Sequence, residues 1–136
     1  MFVLNNTLEA DSVPIVENAD LLIRLINDAR YPWILIVPTV PGASELHDLD
    51  EDLHTRTMSV ARKCGQVLKQ AFNADKINTA AIGNMVPQLH IHVVARHKGD
   101  TAWPGPIWGV GEMEPLTNDE IARRVELIRE GLADLG

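Results

Sequence analysis

The chain has 136 residues, 46% of them hydrophobic and 23% charged, which suits one globular domain burying roughly two-thirds of its unfolded surface. Twelve basic against nineteen acidic residues give a net charge of −7. That balance argues against DNA or RNA, whose grip depends on clustered Lys and Arg, while leaving room for a small nucleotide.

The start, Met1-Phe2-Val3-Leu4-Asn5, lacks the basic and apolar stretches of a signal peptide. The longest apolar run, Trp33 to Val37, is far short of the roughly 20 residues of a membrane span. A cytoplasmic protein without a membrane partner is expected. Val13 to Val16 is a short strand candidate, and Leu21 to Ile26 is a stronger one, ended by the turn formers Asn27-Asp28. Trp33-Ile34-Leu35-Ile36-Val37, stopped by Pro38, predicts a strand buried on both faces and antiparallel to the one before.

Residues 38–48 hold Pro, Gly and Ser and predict a loop, with one short turn near Glu45-Leu46-His47. Asp48 or Asp50 can then cap a long helix reaching Phe72, with Leu53, Val60, Cys64, Val67 and Leu68 at helical spacing. Cys64, the only cysteine, excludes an internal disulfide and reads as a buried small hydrophobe. Ile77 to Ile82 predicts another strand, ended by Gly83-Asn84. Thr117 and Glu120 form a capping-box pattern ahead of a last helix with Ile121, Val125, Ile128 and Leu132 on one face. Strands and helices so segregated predict an α+β fold on an antiparallel sheet, with one long central helix and a C-terminal helix.

Between those helices lies the segment that carries chemistry. Gln88-Leu89-His90-Ile91-His92-Val93-Val94 alternates polar with apolar residues, the period of a strand. Gln88, His90 and His92 then share one face, roughly 7 Å between neighbours, as twice the strand rise requires. Imidazole can serve as nucleophile, base or acid near neutral pH, so two of them can divide attack and charge stabilisation. The Gln88 amide can hold an oxygen but cannot deliver a proton. Two histidines beside a glutamine would each need a buried partner if they were mere core, which favours a site. Arg96 continues the same face, either toward a phosphate or as a solvated surface residue. A metal reading through His47, His54 or His97 is disfavoured, and no cofactor is expected, because neither spacing nor a carboxylate cluster supports it.

The run Asn84 to Arg96, NMVPQLHIHVVAR, resembles the signature of the histidine triad (HIT) family. Trp33 to Pro38, Glu45 to Leu49 and Ile77 to Ile82 resemble that family's preceding elements, so the likeness covers roughly residues 10 to 100, with a Trp-rich loop and last helix over 101–136. Arg30 to Trp33, Gly83 to His92 and Trp103 to Trp108 are similar to a bacterial branch labelled diadenosine tetraphosphate hydrolase-like. The resemblance implies a homodimer acting on the α-phosphorus of a nucleotide conjugate without a metal. It implies His90 as the nucleophile that forms a nucleotidyl-histidine, and His92 as the phosphate hydrogen-bonding residue. Gln88 occupies the place of the first triad histidine. Asn27 matches a ribose-side asparagine, and Asn84 a phosphate-side amide. The alternative is a nucleotide-binding sensor or scavenger with an impaired triad, an alternative that Gln88 keeps open. Trp103-Pro104-Gly105-Pro106-Ile107-Trp108 reads either as a wall near a base or partner subunit or as a plug on the sheet end.

Overall fold

The computed structural model describes residues 1–134. Among them, five strands form one antiparallel sheet: β1 (Ser12–Glu17), β2 (Leu21–Ile26), β3 (Trp33–Pro38), β4 (Lys76–Ala80) and β5 (Ile91–Arg96). Their spatial order is β1-β2-β3-β5-β4. Helices α1 (Asn6–Ala10), α2 (Glu51–Ala71) and α3 (Asn118–Asp134) complete the α+β architecture. None of the described helices is long and apolar enough to cross a membrane.

β3 is buried at every position because it pairs on both edges and is covered on both faces. Ile34 and Ile36 join Leu25, Ile91 and Val93 in a large core against Cys64, Val67 and Leu68 of α2. Trp33, Leu35 and Val37 face the other way, into a smaller core with Leu8 of α1, Tyr31, Val94 and Ile107. The site lies on this second side of the sheet.

Asp50 is the residue that caps α2, its carboxylate accepting from Leu53 N at 2.8 Å. Glu51 and Asp52 in the first turn suit the positive end of the helix dipole. Past the helix end, Asn73 takes φ +50°, a left-handed conformation that stops further winding. Cys64 is fully buried, and that burial pushes its thiol up to about 12. Ahead of α3, Thr117 Oγ1 accepts from Glu120 N, while the Glu120 carboxylate turns to Arg123 and Arg124 instead of closing a capping box.

Three further expectations need correction. β5 begins at Ile91, so Gln88 and His90 precede the strand: Ile36 opposite Ile91 is the last β3 pair, and Leu89 N donates to Ala43 O in the loop at 3.0 Å. With β5 starting there, β4 loses its partner after Ala80 and stops short of Ile82. Arg96 is neither a phosphate ligand nor a solvated residue. It is 1% exposed, its Nε and Nη2 donate to the Asp100 carboxylate at 2.8 Å each, and Nη1 donates to Asn78 Oδ1.

Candidate active site

His90 and His92 meet edge to face, ring centroids 4.8 Å apart, and both are largely buried. His92 comes from β5, on the face opposite α2; His90 comes from the turn into that strand. Each ring is held through Nδ1, and the two partners impose opposite tautomers. Nδ1 of His90 lies 2.6 Å from the Gln88 main-chain oxygen. A carbonyl only accepts, so neutral His90 carries its proton on Nδ1 and leaves the Nε2 lone pair free. Nδ1 of His92 lies 3.0 Å from Trp33 Nε1. An indole N–H only donates, so neutral His92 carries its proton on Nε2. One ring thus offers a lone pair and its neighbour a hydrogen-bond donor.

Burial, and secondarily the neighbouring His90, hold the His92 imidazolium down to about 3. His92 is therefore a neutral donor at physiological pH, not a cation. Trp108 closes over it edge to face, centroids 5.2 Å apart, and its own indole N–H is buried without a partner among the described residues.

Two clefts open on His90. The smaller, of about 220 Å³, is lined by Leu8 and Asp11 of the α1 region, Leu35, Asn84, His92 and Trp108. A larger one, of about 570 Å³, is bordered by Ser44, Glu45, His47, Asn84 and Pro87. Residues 82–84 divide them, and His90 stands at the junction.

The structure thus brings His90, His92 and Asn84 to one place. Asn84 is exposed on the dividing turn. Gln88 and Asn27 line neither cleft. Gln88 Oε1 accepts from Asn5 N at 2.8 Å, and its Nε2 donates to Val3 O at 2.9 Å. Asn27 Oδ1 accepts from Leu116 N at 2.8 Å and so ties down the segment that supplies Trp108 and Met113 to the smaller cleft. The other histidines are dispersed: His47 and His54 are exposed, and His97 Nε2 donates to Phe72 O. Among the described residues no three His, Cys, Asp or Glu side chains converge as a metal site would need. Trp103 packs its ring against the Arg96 guanidinium and lines neither cleft.

Sequence reasoning missed two contributors. Trp33 reads only as an apolar strand residue, and nothing local shows where its N–H points. Helix α1 carries a legible signal in Asn5, whose side chain accepts from Thr7 N and Leu8 N as an N-cap.

An antiparallel sheet with one long helix across one face and paired, oppositely tautomeric histidines on the other places the chain in a class of α+β proteins with a paired-histidine site. Residues 7–99 match the HIT domain family, and the chain belongs to that family. Its structure superposes on a histidine triad protein from Marinobacter aquaeolei with TM-score 0.94, at 36% identity over 100% of this chain and 99% of that one. A histidine triad protein from Bradyrhizobium japonicum matches with TM-score 0.92 at 37% identity, covering 96% of this chain and 98% of that one. One from Sinorhizobium meliloti gives TM-score 0.92 at 38% identity, with 96% of each chain covered. A comparison with curated proteins finds no match.

Proposed function

We propose that the protein is a nucleotide hydrolase or transferase that attacks the α-phosphorus of a nucleotide conjugate such as diadenosine tetraphosphate. The observation that carries this reading is the opposed pair of tautomers on His90 and His92. The His90 Nε2 lone pair forms a bond to phosphorus while the bond to the bridging oxygen breaks, its electron pair leaving with the departing group. The His92 Nε2–H donates to a non-bridging oxygen whose charge grows in the transition state. Water then cleaves the phosphorus–nitrogen bond, releasing the nucleoside monophosphate and returning His90 to its starting tautomer. Asn84, at the mouth of both clefts, is proposed as a further amide donor to the phosphate chain.

The same proposal takes the protein to be a cytoplasmic homodimer.

One observation favours a second reading, a nucleotide-binding sensor. Gln88 turns its amide to the N-terminal segment, so the first triad position supplies no proton to a leaving group. The experiment that separates them is incubation with a panel of adenylated compounds, followed by mass spectrometry for product and for a nucleotidyl-protein adduct. Turnover with an adduct on His90, both absent in His90→Ala, is the expected result. AMP binding with neither turnover nor adduct establishes the sensor.

A further inference from the structure

We infer that Gln88 is a positioning residue whose side chain clasps residues 3–5 and thereby builds the α1 wall of the substrate cleft. This deepens the proposed nucleotide chemistry and rests on it for the identity of the ligand. Three observations join. The Gln88 amide engages the N-terminal backbone in both directions, accepting from Asn5 N and donating to Val3 O. A histidine at this position has no geometry for that two-way bond, because its ring nitrogens point apart, not side by side like the oxygen and nitrogen of an amide. Asn5 is in turn the N-cap of α1, its side chain accepting from Thr7 N and Leu8 N at 2.8 and 3.4 Å.

Helix α1 has only five residues, too short to hold itself in water. Its place against the sheet depends on Leu8, which packs with Ile26, Trp33 and Leu35 in the smaller core, and on the clasp at its head. Thr7, Leu8 and Asp11 then form one side of the cleft whose opposite side carries Trp108 and Met113. The Gln88 main-chain oxygen also accepts from His90 Nδ1. A single residue therefore orients the nucleophile through its main chain and the cleft wall through its side chain. The amide works on the substrate's surroundings and takes no part in the transfer of protons.

The test compares wild type, Gln88→Ala, a chain lacking residues 1–4, and the combination. That deletion removes the Val3 acceptor together with Phe2 and Leu4, which pack against the smaller core, and keeps the Asn5 cap. Hydrogen exchange of the 5–11 amides is measured without any ligand, and AMP affinity and turnover of diadenosine tetraphosphate are measured beside it. Gln88→Ala is expected to speed exchange over 5–11. It should weaken AMP binding and raise KM by about two- to tenfold, the worth of one or two partly exposed hydrogen bonds, with kcat within about twofold. The deletion should do at least as much, and Gln88→Ala should add less in the deleted chain, where only the Asn5 bond is left to lose, than in wild type. A fall in kcat at unchanged KM, with exchange over 5–11 unaltered, overturns the inference. So do effects of variant and deletion that multiply. Absence of turnover in wild type bears on the proposed chemistry alone, since exchange and AMP affinity still read the clasp.

Discussion

The indole N–H of Trp33 donates to Nδ1 of His92 across 3.0 Å, and that bond selects which nitrogen of His92 keeps the proton. The indole comes from β3 and the imidazole from β5, adjacent strands, so the sheet itself sets the contact. Trp33→Phe keeps an aromatic ring there, gives up part of the packing and removes the donor. It leaves a buried nitrogen unpaired, at a cost of about 1–3 kcal/mol in stability. Nitrogen-15 spectra of the imidazoles should show His92 as the Nε2–H form in wild type and as a mixture in the variant. If the proposed chemistry holds, kcat/KM falls about tenfold with the lost preorganisation.

Acid should destabilise the protein through His92. Burial holds its folded value to about 3, well below the ordinary 6.5, so between those limits the unfolded chain binds a proton that the folded chain refuses. This contribution is complete above pH 6.5 and shrinks as pH falls toward 3. At pH 5 the loss amounts to about 2 kcal/mol relative to neutral pH. Urea unfolding of wild type and His92→Gln at both pH values reads it, and the variant should lack that share of the acid sensitivity.

The buried pair of Arg96 and Asp100 is structural. Asp100→Asn leaves a guanidinium 1% exposed without its counter-charge and should destabilise the fold by about 3–5 kcal/mol. A thermal melt is the check. AMP affinity, measured where the variant is still folded, should match wild type, since neither residue lines a cleft at the histidines.

Helices α2 and α3 touch through a glycine. A Cβ at Gly131 would stand 2.7 Å from Cγ1 and 3.1 Å from Cγ2 of Val67, a branched side chain with no free rotamer to yield. Gly131→Ala gains roughly 1 kcal/mol of helix propensity and loses about 1–3 kcal/mol to overpacking. A net fall in stability is expected, and Gly131→Ala with Val67→Ala should recover the part due to the clash.

Departure of the leaving group should be the sensitive step. His92 is a neutral donor, and Gln88 cannot give up a proton, so a leaving group has to depart without an acid on the first triad position. Phosphate chains, already stable as anions, fit this; alkylamines do not. Rates measured on adenylated substrates of graded leaving-group basicity should fall steeply as basicity rises. A flat series would reveal an acid elsewhere, with His47 on the wider cleft the first residue to replace.

Much of this arrangement was legible from local pattern. The apolar run of β3, the Asp50 cap and the helical spacing around Cys64 report burial and backbone geometry that each segment dictates for itself. The two histidines stood out for a related reason, since polar groups repeating every second residue mark one side of an extended chain. What stayed hidden depends on partners far away in the chain. Gln88 bonds main-chain atoms 83 and 85 residues earlier, and Asn27 bonds one 89 residues later. Main-chain partners carry no side-chain signature, so no spacing rule finds them. β5 starts later than alternation predicts because Leu89 N bonds Ala43 O of the loop and takes no place in the ladder, a contest that alternation cannot reveal.

The junction position of His90 has a kinetic consequence. If the proposed chemistry holds, the first product would leave through the wider cleft while the nucleotide half stays in the smaller one, since His90 lines both. Water would then arrive by the vacated route, so that the two halves of the cycle would not share one corridor.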